Sequence, residues 1–360
     1  MTNEHTLILE LCKFANPNKE KIADLLAQPQ MFPYVLGQLC WHRMGGAAYC
    51  VLRECGLLGN VNREFRNTLK TVHDGGVLKA RAFKDALSMM AGVLDGADFP
   101  YALLKGAYLA SLYPEGLRTS NDIDILTDEK NLSAAEKLLK SAGFTQGNIR
   151  FDTFTPASRA EIISSRMNRG EVVPYIREIG LPGMHYLEID LNFSLDFKAK
   201  QKNDAVPALL LDAHPLIETA NGSLFTLCPA DFLLHLCCHL YKEAATYAWV
   251  AMERDLSLYK FADLYLLLRE WTDGGIYDAL AARAAACGQQ RAVYYAMLRT
   301  KELFDLENSA LDGLLTAVKP EEASFVNEVF RPEQNKTYRY DGDFPGWLFM
   351  SGRKNKLYEA

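Results

Sequence analysis

Hydrophobic positions recur at helical spacing through the first 95 residues of the chain. The longest such stretch covers residues 61–94, where apolar side chains stand three and four positions apart over many turns, as on one face of a helix. The adjacent Gly75 and Gly76 interrupt this stretch, and we expect a break or a bend there. The pattern therefore predicts a helical N-terminal region over residues 1–95.

The pattern changes at Ala97, where short apolar runs alternate with turn residues. FPYALLKG is typical of a buried strand, and GAYLASLYPEG of a short helix that ends at proline and glycine. SNDIDILTD alternates polar and apolar positions and predicts a second strand, which the helical pattern LSAAEKLLKSAG follows. From residue 144 to about residue 195 the pattern is β-like, in the runs FTQGNIRFDTFTP, EVVPYIREIGLPG and MHYLEIDLNFSLDF. These runs predict a compact core of strands and helices over residues 96–200.

The C-terminal part of the chain returns to helical patterns. DFLLHLCCHLYKEA and RDLSLYKFADLYLLLREW predict a helical domain over residues 201–330. Residues 331–360 are polar with interspersed aromatic residues, and we expect an extended tail or an arm that packs late. The order of elements predicts an α+β fold with an α/β core, in which helical N-terminal and C-terminal regions flank a small mixed β-sheet.

Charge and composition narrow the class of protein. Lysine and arginine number 39 against 45 acidic residues, and the net charge of −6 argues against a protein that mainly contacts nucleic-acid phosphates. No apolar run approaches the roughly 20 residues that span a bilayer, and MTNEHTLILELCKF lacks the features of a secretory signal. We expect a cytoplasmic protein without a membrane segment.

Acidic residues in the core form the main candidate for chemistry. Asp122 and Asp124 stand two apart on a strand, so both side chains leave the same face. Glu188, Asp190 and Asn192 share one face of the later strand HYLEIDLNF. If the two strands are neighbours, Asp190 completes a cluster of three carboxylates. Such a cluster suits Mg²⁺ and can hold two metal ions, one for the attacking hydroxyl and one for the leaving phosphates.

If the leaving phosphates belong to a nucleoside triphosphate, the protein also needs a site that binds the triphosphate. Lys105, Gly106 and Ala107 lie between a strand and a helix, where close backbone approach, N–H donors and a cation are available. Lys105 has the alternative of extending from the strand end into solvent. Arg118 is a candidate phosphate clamp or a surface partner of the acidic residue at position 115. Ser120 is a candidate donor to the nucleotide site or to the Asp-x-Asp strand.

The segment LLKGAYLASLYPEGLRTSNDIDIL resembles the signature of nucleotidyltransferases of the DNA polymerase beta superfamily. It is similar in particular to a poorly characterised bacterial branch with a Lys-Gly turn. The resemblance extends through LEIDLNFSL to LCPADFLLHLCCHLYKE and KFADLYLLL, and covers roughly residues 30–300.

The resemblance implies roles for individual residues. Asp122 and Asp124 would bind both metals, Asp190 would bind the catalytic metal and accept the nucleophile's proton, and Gly106 would approach the nucleotide phosphates. Two residues depart from the pattern. Ala107 replaces the Gly or Ser common elsewhere in the superfamily, so a hydroxyl contact to phosphate is lost, and Asn192 stands where this branch often has histidine.

Polar residues on the apolar C-terminal helices are possible cleft residues. His235 and His239 stand four apart on one helix, Lys242 extends the same polar stripe, and Asp263 lies in KFADLYLLL. These side chains either contact the nucleotide or acceptor, or are buried and hydrogen-bonded within the helical region.

The predicted function is Mg²⁺-dependent transfer of a nucleoside monophosphate from a nucleoside triphosphate to an unidentified acceptor, with release of pyrophosphate. A small-molecule acceptor is favoured. One alternative is a toxin-type nucleotidyltransferase that acts on tRNA or protein, and the acidic net charge argues mildly against tRNA. The other alternative is a non-catalytic nucleotide-binding or interaction module that keeps the fold.

Overall fold

A computed structural model describes residues 1–168, 172–195 and 205–360 of the chain. The chain forms two compact units: residues 1–74 together with 236–360 make the first, and residues 75–235 make the second. These units divide the chain at other positions than the four predicted segments, whose boundaries stay predictions. The predicted boundary at residues 200/201 lies outside the described residues.

Helices alternate with short strands along the chain. The helices are α1 (Asn3–Leu11), α2 (Lys19–Leu26), α3 (Phe32–Trp41), α4 (Gly45–Glu54), α5 (Arg63–Leu94), α6 (Gly106–Leu112), α7 (Leu132–Ser141), α8 (Arg159–Asn168), α9 (Ala205–Leu211), α10 (Pro229–Ala244), α11 (Tyr247–Ala251), α12 (Leu258–Glu270), α13 (Gly274–Ala286), α14 (Gln290–Phe304), α15 (Ser309–Ala317) and α16 (Phe344–Leu348). The strands are β1 (Tyr101–Leu103), β2 (Asp122–Thr127), β3 (Thr145–Arg150), β4 (Thr153–Pro156), β5 (Tyr175–Leu181), β6 (Met184–Asn192), β7 (His214–Thr219), β8 (Gly222–Thr226), β9 (Glu328–Arg331), β10 (Lys336–Arg339) and β11 (Tyr358–Glu359).

The second unit is built on a mixed sheet whose described strands run in the order β4-β3-β5-β6-β2-β1-β8-β7. At its centre β2 is parallel to β6 and antiparallel to β1. Alternate residues such as Ile123 and Ile189 are buried in a core that also contains Phe83 and Met90 of α5. Because strand side chains alternate in direction, the aspartates of β2 leave the opposite face from Ile123.

Helix α5 runs without a break through Gly75 and Gly76, so the expectation of a break is wrong, and that of a bend stays a prediction. Gly76 is buried, and a Cβ atom there would lie 2.5 Å from the carbonyl oxygen of Gly116. The absence of a side chain lets the loop before β2 approach the helix backbone. A Cβ atom at the exposed Gly75 would meet nothing within 4 Å.

Several elements differ from the sequence prediction, although the α+β fold class is confirmed. Helix α8 lies inside the stretch predicted to be β-like. Strands β7 and β8 form a hairpin in the region predicted to be helical, and β8 pairs with β1 in parallel. Short strands with few apolar residues, such as GSLFT, carry too weak a pattern to distinguish them from loops.

The last 30 residues pack within the first unit and form more than an extended tail. Strands β9, β10 and β11 make a small antiparallel sheet. Tyr340 stacks on Trp347, with ring centroids 4.0 Å apart. The Arg353 guanidinium is buried and contacts both carboxylate oxygens of Asp255, at 2.5 and 2.9 Å. Among the described residues, no helix has the length and apolar character needed to cross a membrane.

Candidate active site

Strands β2 and β6 bring the predicted carboxylates onto neighbouring strands. Their parallel register places Asp124 opposite Asp190, and Asp122 opposite Glu188. Because residues two apart share a face, all four side chains leave the same side of the sheet. The alternation along HYLEIDLNF places Glu188 on the face of Asp190, but the strand pairing that sets Glu188 opposite Asp122 is not specified by the sequence.

Asp124 is the most enclosed of these carboxylates, with 4% of its surface exposed. Its Oδ1 lies 2.8 Å from Nζ of Lys105 and accepts a second hydrogen bond from Nδ2 of Asn192 at 3.3 Å. The same Asn192 amide donates to the backbone carbonyl of Asp190, at 3.2 Å. Asn192 therefore links the two aspartates.

The electrostatics of the cluster reflect an excess of negative charge. Burial raises the pKa of Asp190 well above its usual value, and repulsion from Asp124 and Glu188 raises it further. Burial also raises the pKa of Glu188. For Lys105, burial lowers the pKa, but attraction by Asp124 and the hydrogen bond to it more than compensate, so its pKa lies above the ordinary value. The site holds its cation firmly and favours further positive charge.

Asp122 is oriented by the loop that precedes β2. The Ser120 hydroxyl donates a hydrogen bond to Oδ1 of Asp122, at 2.7 Å. A Cβ atom on Gly106 would lie 2.6 Å from the Ser120 oxygen, so the glycine at the start of α6 leaves room for this serine. The sequence indicates close approach of Gly106 to the nucleotide phosphates, but its packing against Ser120 is visible only in the structure.

Ala107 and Arg118 make local contacts. Ala107 is buried, and its N–H donates to the carbonyl of Leu104 at 3.2 Å, so this donor must change partner to reach a phosphate. Nη1 of Arg118 donates to the carbonyl of Thr119, at 2.6 Å. The roles of both residues toward a nucleotide stay predictions.

Glu115 was considered as a surface partner of Arg118. Its carboxylate accepts two hydrogen bonds from Arg81, at 3.1 and 3.0 Å. This exposed bidentate pair anchors the loop to helix α5.

The four predicted cleft residues are divided between the units. His235 is buried at the end of the second unit; the other three belong to the first: His239, Lys242 and Asp263. Nε2 of His239 lies 3.4 Å from Oε1 of the buried Glu243, which also pairs with Lys260. The i, i+4 spacing of His239 and Glu243 was the signal that sequence reasoning overlooked. A role for these side chains in substrate binding stays a prediction.

The donor chemistry of the carboxylate cluster fits Mg²⁺. All the available ligands are oxygen atoms, and burial with mutual repulsion makes a divalent cation favourable there. Across residues 1–168, 172–195 and 205–360, no three His, Cys, Asp or Glu side chains converge as a preformed metal cluster. The ammonium group of Lys105 is instead the cation that contacts Asp124.

A mixed sheet with apposed carboxylates beside a strand–Lys-Gly–helix turn defines this chain as an α+β protein of the nucleotidyltransferase class. Residues 30–305 match the family described as "Uncharacterised nucleotidyltransferase", and the chain belongs to this family. The prediction of a nucleotidyltransferase is thereby confirmed.

Two further comparisons add little to the family match. Comparison with curated proteins gives no match. Among solved structures, the chain is similar to an antigenic nucleotidyltransferase-like protein from Paracoccidioides brasiliensis, with 14% identity, coverage of 67% of this chain and 94% of that chain, and a TM-score of 0.38. The assignment therefore rests on the family match.

Proposed function

We propose that the chain is a Mg²⁺-dependent nucleotidyltransferase of the DNA polymerase beta superfamily type. It transfers a nucleoside monophosphate from a nucleoside triphosphate to an acceptor hydroxyl or phosphate on a small molecule. The observation that carries this proposal is the parallel register that sets Asp124 opposite Asp190, with Asp122 on the same face. This arrangement supplies a cluster of oxygen ligands at the edge of a Lys-Gly turn.

In the proposed reaction, the acceptor oxygen forms a bond to the α-phosphorus as the bond to the pyrophosphate oxygen breaks. Asp122, Asp124 and Asp190 would hold Mg²⁺, which when bound lowers the pKa of the attacking group and neutralises the leaving phosphates. Asp190 takes up the proton of an acceptor hydroxyl.

Charge supports a small-molecule acceptor over tRNA. The chain is acidic overall, and several cations of the last 30 residues are already paired with carboxylates. Lys336 pairs with Glu359, and Arg353 with Asp255. Arg339, on β10 together with Lys336, pairs with a glutamate of β9. The charge left for RNA phosphates in this segment is reduced accordingly.

Calorimetric titration of ATP, CTP, GTP and UTP, with Mg²⁺ and then with EDTA, tests the proposal. Asp124→Asn removes a ligand charge at constant side-chain volume. Asp152→Asn is the matched control, because Asp152 is exposed at the β3–β4 turn with φ of +57°, a conformation that asparagine tolerates.

We expect Mg²⁺-dependent binding of at least one nucleotide by wild type and Asp152→Asn, and its loss in Asp124→Asn. Transfer of α-labelled nucleotide should fall by about a thousandfold or more in Asp124→Asn, because a metal ligand acts directly on the transition-state charge. Absence of nucleotide binding by the folded wild-type protein would contradict the proposal and favour the interaction module.

A further inference from the structure

Lys105 occupies the position on Asp124 where the proposed function needs a metal ion. Its Nζ lies 2.8 Å from Oδ1 of Asp124, and the Asn192 amide donates to the same oxygen. Asp124 is 5% exposed at its side chain and Lys105 20%, so the lysine is the less enclosed partner of this ion pair. Its longer and more exposed side chain is therefore the partner with more room to move.

The backbone directs Lys105 toward this contact. Lys105 has φ of +45° and ψ of −116°, a left-handed conformation that side-chain-bearing residues rarely adopt. Hydrogen bonds on either side hold it: the Leu104 N–H donates to the carbonyl of Asp124, and Leu109 donates to the carbonyl of Lys105. A strained residue held by its surroundings beside a reactive cluster indicates a functional requirement for that geometry.

We propose that Lys105 holds the metal position on Asp124 until a triphosphate arrives, so that metal binding requires nucleotide phosphates. This inference rests on the proposed function and specifies how its site is loaded. A divalent cation that arrives alone must displace the ammonium group into water and thereby break a largely buried ion pair. When phosphates bind, they provide a new anionic partner for Lys105, and Asp124 becomes available to the metal.

Two titrations on four proteins test this inference. The first measures the affinity for Mg²⁺ alone, and the second measures the affinity for inorganic tripolyphosphate in saturating Mg²⁺. The proteins are wild type, Lys105→Met, Lys105→Arg and the control Lys130→Met. Lys130 pairs with Asp128 at 2.9 Å just after β2, but its side chain is 73% exposed.

We expect Lys105→Met to bind Mg²⁺ alone about tenfold more tightly than wild type, and Mg²⁺-tripolyphosphate about tenfold more weakly. Lys105→Arg should resemble wild type in the first titration because it keeps the competing charge. Lys130→Met should resemble wild type in both. An unchanged affinity of Lys105→Met for Mg²⁺ alone would overturn the inference while leaving nucleotide binding by wild type, and so the proposed function, intact.

Folding of Lys105→Met is checked by thermal unfolding, and Lys105→Gln replaces it if it does not fold. Wild type alone can also overturn the inference. By linkage, Mg²⁺ should bind it about tenfold more tightly with tripolyphosphate than without. Equal affinities in the two conditions would overturn the inference. A different result would count against the proposed function instead: nucleotides do not bind, although Lys105→Met weakens tripolyphosphate binding and tripolyphosphate tightens Mg²⁺ binding.

Discussion

The glycine that follows Lys105 is required by a serine fourteen positions further along the chain. Gly106 leaves space for Ser120, whose hydroxyl orients Asp122. A Lys-Gly turn read alone suggests only backbone approach to phosphates. The contact with Ser120 depends on how the loop before β2 folds back onto the start of α6, which residue spacing does not specify.

Replacing Gly106 by alanine should therefore disturb Asp122. The new Cβ would lie 2.6 Å from the Ser120 oxygen and 2.9 Å from its Cβ, so the serine must move and its hydrogen bond to Asp122 is lost. We expect Mg²⁺-nucleotide affinity to fall by about tenfold, equivalent to about 1.4 kcal/mol. Calorimetry measures this change.

The control for this substitution is a double-mutant cycle with Ser120→Ala. If the two substitutions act through one contact, Gly106→Ala costs less affinity in the Ser120→Ala background than in wild type. Equal costs in the two backgrounds would show that Gly106 acts independently of Ser120.

Asn192 shows why the site could be predicted only in part. The sequence places Asp122 and Asp124 on one face of a strand, and Asp190 on another, from alternation alone. The hydrogen bonds that join Asn192 to Asp124 and Asp190 depend on the register of β2 against β6. Register is set by strand pairing between distant segments, which one sequence does not reveal.

At the level of elements, long periodic patterns were more informative than short ones. The helical pattern of residues 61–94 corresponds to α5, and the alternation in SNDIDILTD corresponds to β2. The hairpin of β7 and β8 was missed because its strands are short and partly exposed. The glycines of α5 were misinterpreted, since local propensity predicts a break where tertiary packing maintains the helix.

The pair Gly75 and Gly76 gives a matched test of this packing. Gly75→Ala should stabilise the protein by about 0.5–1 kcal/mol, because alanine is the better helix former and the site is open. Gly76→Ala should destabilise it by about 1–3 kcal/mol, because the new Cβ meets the Gly116 carbonyl oxygen at 2.5 Å.

Denaturant unfolding measures both free energies. Nucleotide transfer by Gly76→Ala should fall as well, since Gly116 belongs to the loop that carries Ser120 to Asp122. If both alanine variants changed stability in the same direction by similar amounts, the close approach of α5 and this loop would not be a constraint on the fold.

For the whole molecule, the order of segments in the sequence differs from their grouping in space. The first unit joins residues 1–74 to residues 236–360. Within it, His5 stacks on Phe349 with ring centroids 4.7 Å apart, and Nε2 of Gln38 donates to the carbonyl of Phe349. Hydrophobic periodicity is local, so it identified helices at both ends of the chain but not that they form one unit.

The buried pair of Arg353 and Asp255 is the strongest candidate for anchoring the C-terminal residues in this unit. Both side chains are at most 2% exposed, and the guanidinium also donates to the carbonyls of Leu348 and Met350. We expect Arg353→Met to lower the free energy of unfolding of the first unit by about 3–5 kcal/mol, because Asp255 is left buried without its cation.

Two comparisons separate this effect from a general effect of lost charge. Lys336→Met removes an exposed partner of Glu359 in the same segment and should leave the free energy of unfolding almost unchanged, because solvent screens this pair. Combining Arg353→Met with Asp255→Leu removes the uncompensated charge and should recover much of the lost stability, since a buried ion pair contributes little more than apolar residues of similar volume. Denaturant unfolding, monitored by the circular dichroism signal of the helices, measures the free energy of unfolding of each variant. A cost for Arg353→Met no greater than that for Lys336→Met would show that the C-terminal residues are held by their aromatic contacts and not by this ion pair.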